Sequence, residues 1–141
     1  MKISGMSIYA MAALAAVMLF SCSKQNDSSA VEGKVFFVEP VDGAEITGKV
    51  KVVMGVEGMK VHPAGEIVPG TGHHHIIING DAADKGSVVP ADETHKHFGK
   101  GQTETELELA PGKYKLTLQF ADGNHQSYGP ELSQSIHITV K

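Results

Sequence analysis

From residue 34 onward the chain alternates apolar and polar residues with a period of two, a pattern that builds half-buried strands and leaves no face for an amphipathic helix. In Lys49–Val56 the alternation puts Val50, Val52, Met54 and Val56 on one side. In Lys113–Phe120 it aligns Tyr114, Leu116, Leu118 and Phe120, and in Ser135–Val140 it aligns Ile136, Ile138 and Val140. Thr103–Leu109 alternates strictly, with Glu104, Glu106 and Glu108 on the wet side. Lys34–Val38 reads as a first strand stopped by Glu39-Pro40, and His73–Ile78 as another ended by Asn79-Gly80. A short strand is expected near Glu45–Thr47. Strands of this length between Gly-, Pro-, Asn- and Asp-bearing turns predict an all-β fold, a small antiparallel immunoglobulin-like β-sandwich of about seven strands. The domain has no Trp and no cysteine pair, so the likeness is one of architecture.

The first residues belong to a different kind of segment. Met1-Lys2 bring a positive charge, and an apolar run from Met6 to Phe20 follows, broken only by Ser7. A membrane-spanning helix needs about 20 apolar residues, so this run has the length of a secretory h-region. Leu19-Phe20-Ser21-Cys22 then resembles the bacterial lipobox: aliphatic at −3, small at −1, and a cysteine, here the only one in the chain. Phe20 at −2 is less common there. The resemblance implies that residues 1–21 are a lipoprotein signal peptide and that Cys22 carries the acyl chains, which anchor the protein to a membrane of the bacterial envelope. Ser23 stands where Asp retains enteric lipoproteins at the inner membrane, so the expected site is the outer membrane, facing the periplasm. The polar stretch to Glu32 completes a flexible tether, residues 22–32. A single domain, residues 33–141, remains, large enough for one core and without a second cysteine for a disulfide.

The charge balance excludes some partners. With Lys2 set aside, 11 lysines face 16 acids, near −5, and there is no arginine. Nucleic acid and anionic lipid surfaces require basic patches, so neither is expected. Any protein partner is left open.

Two connections are too long for hairpins: residues 57–72, rich in Gly and Pro, and residues 81–101. The strand between them, His73-His74-His75-Ile76-Ile77-Ile78, is apolar or imidazole-bearing on both sides, so both sides must be covered. One cover is the opposite sheet; the expected second cover is the 81–101 segment folded over the outside. That segment carries His95 and His97, again two residues apart, and the expectation is that they approach His73 and His75. Two imidazoles at i and i+2 on a strand point the same way, about 6–7 Å apart at the Cα atoms, within reach of one ion. Neutral imidazole suits Zn, Cu and Ni. His125, in the turn Asp122-Gly123-Asn124-His125, could add a ligand; His74 and the soft thioether of Met59 are weaker candidates. His62 and His137, each alone, read as half-buried hydrogen-bonded residues. The same histidine clusters also fit a hydrogen-bonded polar core that pins the loop, or a small-ligand or catalytic site.

Several segments together carry a family resemblance: Pro63-Ala64-Gly65, Pro69–Ile78, Pro90–Glu93, His97–Glu104, Leu109–Gly112, and Ala121-Asp122 with His125. They are similar to the domain-of-unknown-function 4399 family, over about Val35 to Lys141. The resemblance implies an exported β-domain and no established activity. Within its pattern His73, His74, His75, His97, Gly99, Gly101, Gln102, Thr103, Glu104, Pro111, Gly112 and His125 match, whereas Asn79 stands where the family often has Asp. Gly99 and Gly101 permit positive φ, and Gln102 and Glu104 would then point the same way, able to orient an imidazole from behind.

The expected function is a metal-binding envelope lipoprotein that holds or passes copper or zinc. The alternative is a non-catalytic binding or structural module whose histidines pin a loop. A metal-dependent redox enzyme is a further reading, while no G-x-S-x-G element supports a serine hydrolase.

Overall fold

The computed structural model describes residues 32–141; the signal segment, Cys22 and nearly all of the tether lie outside the described residues. Nine strands run through the described part: β1 (Lys34–Glu39), β2 (Glu45–Ile46), β3 (Val50–Glu57), β4 (Lys60–Val61), β5 (Thr71–Ile78), β6 (His95–His97), β7 (Glu104–Leu107), β8 (Gly112–Ala121) and β9 (Ser133–Val140). Among the described residues one 3-10 turn, Pro130–Leu132, precedes β9. A three-stranded sheet in the order β1-β3-β7 faces a larger sheet in the order β2-β9-β8-β5, whose far edge is shared by β4 and β6.

The alternation sets which side of each strand enters the core. Val50, Val52 and Met54 of β3 meet Ile76 and Ile78 of β5, Leu116, Leu118 and Phe120 of β8, and Ile136, Ile138 and Val140 of β9, all buried in one cluster. Each such side chain contributes about 1.5–3 kcal/mol on leaving water, which suits a domain that has no disulfide. Glu104 and Glu106 lie on the exposed side of β7, as their spacing predicts.

The strand count exceeds the expected seven because each long connection contributes a short strand. Lys60 and Val61 pair with Thr71 and Gly72, and His95–His97 pair with Ile77–His75. The sheets are also not uniformly antiparallel: β2 runs parallel to β9, and β4 runs parallel to β5.

The outer side of β5 and β8 is polar yet fully buried at His73, His75, Thr117 and Gln119. Its cover comes from the first half of the 81–101 connection. Thr117 Oγ1 donates to Gly80 O at 2.8 Å, Gln119 Oε1 accepts from Ala83 N at 3.0 Å, and Val89 N donates to His125 O at 2.9 Å. Gln119 Nε2 donates to Gly129 O at 3.0 Å from the other direction. The second half of the connection does not lie over the sheet; it extends it edgewise as β6.

Candidate metal centre

The site begins with a local rule. On β5, residues two apart share a side, so His73 and His75 point outward while His74 points into the core beside Phe120, its ring centroid 5.0 Å away. The antiparallel register sets His97 of β6 directly opposite His75, and directly opposed residues share a side. His125 arrives from a turn that the strands do not control. Asp122 Oδ1 accepts from Asn124 N at 2.8 Å and from Gln126 N at 3.0 Å. This closes a tight turn in which His125 takes a left-handed φ of 65°.

Four imidazoles meet there. His73 Nε2 lies 3.0 Å from His75 Nε2, and His97 Nε2 lies 3.0 Å from His125 Nε2. Ring centroids of His97 and His125 are 4.7 Å apart, and His73 is 5.1 Å from each of them. His73, His97 and His125 each offer a ligand nitrogen, all within 4.8 Å of one another. His73 and His75 are fully buried, His125 is half-buried and His97 is exposed, so the cluster has a closed floor and an open rim. An open groove of about 570 Å³ between β6 and β7 runs along that rim, with Asp92, His97, Glu106 and Leu109 among its walls.

Burial keeps His73, His75 and His97 neutral. Removal from water, reinforced by His97 and His125, pushes His73 down to about 4, with Asp122 opposing. Burial and the neighbouring imidazoles push His75 down to about 3. Burial, then His125, lowers His97 as well. At neutral pH these rings therefore present lone pairs, the form in which imidazole binds metal. Two Nδ1 atoms, on His73 and His75, have no hydrogen-bond partner.

Other residues expected near the site lie elsewhere. His95 is not gathered in: its Nδ1 lies 2.9 Å from Asp92 Oδ1, which also accepts the His95 backbone N–H at 2.9 Å. His74 is on the opposite side of the sheet, fully buried, with neither ring nitrogen partnered. Met59 is a core residue on that same inner side, packed where a Cβ on Gly33 would meet its Cγ at 3.1 Å. Gln102 does not reach an imidazole; its Oε1 accepts from Lys100 N at 2.9 Å. Glu104 opens β7 in the other sheet and is exposed. Neither therefore orients a ring of the cluster. His62 Nδ1 is 2.9 Å from Pro63 O, and His137 is an exposed residue 3.8 Å from Asp42. Asn79, at φ 56°, is a turn residue whose Oδ1 accepts from Lys115 N at 3.0 Å.

The supporting contacts that sequence reasoning missed are mostly at glycines. Gly101 has the positive φ expected, 81°, but Gly99 does not; it is needed for space. A Cβ on Gly99 would sit 2.3 Å from His97 Cε1, so the ring lies against a bare α-carbon. A Cβ on Gly123 would sit 1.8 Å from Glu66 O. The 62–66 stretch thus clamps both arms of the site: Ala64 N donates to Gly99 O at 2.8 Å, and Gly65 N donates to Gly123 O at 2.9 Å. The available signal was a glycine beside each of two histidine-bearing turns; the partner segment was not readable.

Comparison with known proteins adds the following. No curated protein matches the chain. A solved structure, the X-ray structure of the endo-beta-1,4-mannanase from Thermotoga petrophila, is similar at a TM-score of 0.46 and 16% identity, covering 82% of this chain and 21% of that one. The chain thus spans about one fifth of that enzyme's length. The family model for a domain of unknown function, DUF4399, matches residues 52–141. That span contains β4 through β9 and every histidine of the cluster, and the chain belongs to the DUF4399 family.

Proposed function

We propose that this protein is a lipid-anchored envelope module that holds one transition-metal ion, copper or zinc, for storage or transfer. The observation that carries the reading is the convergence of His73, His97 and His125 from three separate segments, their ligand nitrogens within 4.8 Å of one another. Bonds of about 2.0–2.1 Å to one ion put tetrahedral ligand nitrogens about 3.3 Å apart; His97 and His125 already stand at 3.0 Å, and separations of up to 4.8 Å close by about 1.5 Å. An all-nitrogen set suits copper or zinc rather than the oxygen-seeking Mg or Ca. The anchor is supported by the h-region and by Leu19-Phe20-Ser21-Cys22.

The test is metal content of tag-free protein, followed by titration of Cu(II) and Zn(II) into the apo form. One ion per chain is expected. At a free metal concentration about 100-fold above Kd the ion should stabilise the fold by about 2.7 kcal/mol, raising Tm by roughly 10 °C. The triple variant His73→Ala, His97→Ala, His125→Ala should lose both effects. One observation favours a second reading: the rings already bond one another in two pairs at 3.0 Å, as a loop-pinning polar core would. That reading requires wild-type protein to bind no stoichiometric metal and the triple variant to melt at a much lower temperature.

A further inference from the structure

We propose that His75 is a fourth ligand, so that the ion sits in a closed shell of four imidazole nitrogens with no place for water. This rests on the metal-binding reading above and deepens it. His75 is fully buried, its Nε2 touches only His73 Nε2 at 3.0 Å, and its Nδ1 has no partner. Its ring lies 5.0 Å from His97 and 6.0 Å from His125, centroid to centroid, so it packs against the triad from behind.

Two arguments make it a ligand rather than a bystander. The first is geometric. Nitrogens bound to one ion at about 2.0–2.1 Å stand about 2.9 Å apart at right angles and about 3.3 Å apart in a tetrahedron. The His73–His75 separation of 3.0 Å falls between these values, and both residues project from one side of β5, so an ion bound to His73 lies within a side-chain adjustment of His75. The second is chemical. Two neutral imidazoles meeting Nε2 to Nε2 share one N–H, which uses one lone pair and leaves the second ring's N–H on an unpartnered Nδ1. An ion draws on both Nε2 lone pairs at once and places the proton of each ring on Nδ1, and among the described residues no carboxylate groups with these nitrogens to take the role instead. A closed shell fits holding and transfer, in which rings are exchanged one at a time from the open rim at His97. It does not fit hydrolytic chemistry, which needs a coordinated water.

The deciding experiment combines X-ray absorption spectroscopy of the Zn(II)-loaded protein with calorimetric titration at pH 8 in two buffers of different ionisation enthalpy. Four imidazoles and close to no proton released are expected for wild type, because no bound water is present to ionise; a zinc-bound water titrates near pH 7. The variant His75→Ala should still bind, with three imidazoles plus an oxygen, with release of up to one proton, and at least about tenfold more weakly, since losing groups that merely orient ligands already costs about 10–100-fold. Three imidazoles and a released proton in wild type would overturn the proposal while leaving metal binding intact. Absence of stoichiometric metal in wild type would remove the metal-binding reading itself. If His75→Ala does not fold, the imidazole count and the proton count on wild type still decide.

Discussion

The imidazole of His97 turns its Cε1–Nε2 side toward the α-carbon of Gly99, so closely that a Cβ at residue 99 would come within 2.4 Å of its Nε2. The glycine stands two residues after the histidine because the chain folds back on the ring at that point. Gly99→Ala should push His97 out of the cluster. The expected result is metal affinity weaker by about 10–100-fold, with far-ultraviolet circular dichroism unchanged. Unaltered affinity would show that His97 is not held by this contact.

His97 and His125 form the rim, exposed and half-buried respectively. Replacing both with Ala removes little buried surface. The apo protein should therefore melt within a few degrees of wild type, while the metal-induced rise in Tm disappears. A large loss of apo stability would instead identify the pair as a structural clasp.

His74 sits in the apolar core against Phe120 with both ring nitrogens unpartnered. A buried polar atom without a partner costs about 1–3 kcal/mol, whereas a similarly sized apolar side chain costs nothing there. His74→Leu should raise the stability of the apo protein by about that amount in urea unfolding and leave metal stoichiometry unchanged. A destabilised variant would mean that a water or a shifted ring satisfies His74.

Acid should weaken the apo fold through these same rings. Burial holds His73 and His74 down to about 4 and His75 to about 3, below the usual 6.5 of the unfolded chain. Between those values the unfolded chain binds protons that the folded one does not. Stability is thus complete above about pH 6.5 and declines as pH falls toward 4. Melting temperatures of the metal-free protein at pH 7.5, 6 and 4.5 should decrease in that order, with a shallower decline for His74→Leu. A flat profile across this window would place the rings in contact with solvent protons.

Cys22→Ala should leave an unprocessed precursor or a soluble form, read by membrane fractionation and by labelling with a radioactive fatty acid. An acylated, membrane-bound variant would remove the lipoprotein assignment.

The core was largely legible in advance because strand alternation is a local property. Val50, Val52, Leu116, Leu118, Ile136 and Ile138 sit inside as their spacing predicts. The three isoleucines at 76–78 correctly demanded cover on both sides, since all three are buried. The short strands β4 and β6 were not legible. Each is only two or three residues long, with no alternation of its own, and exists because the edge of β5 offers unpaired backbone groups.

Within the site the division follows the same line. That His73 and His75 share a side, and that His74 does not, follows from the two-residue period alone. Which further histidines join them depends on contacts between segments far apart in sequence. His95 and His97 stand on the same side of β6 and were equivalent as sequence. Asp92, three residues before His95, holds that ring at 2.9 Å, whereas His97 lies opposite His75 and is free to turn inward over Gly99. His125 reaches the cluster from a left-handed position in a turn closed by Asp122 and clamped through Gly123 by the 62–66 stretch. Alternation determines the direction of a side chain along one strand, but the meeting of four rings requires the register between strands and the docking of loops, and those exist only once the whole chain has packed.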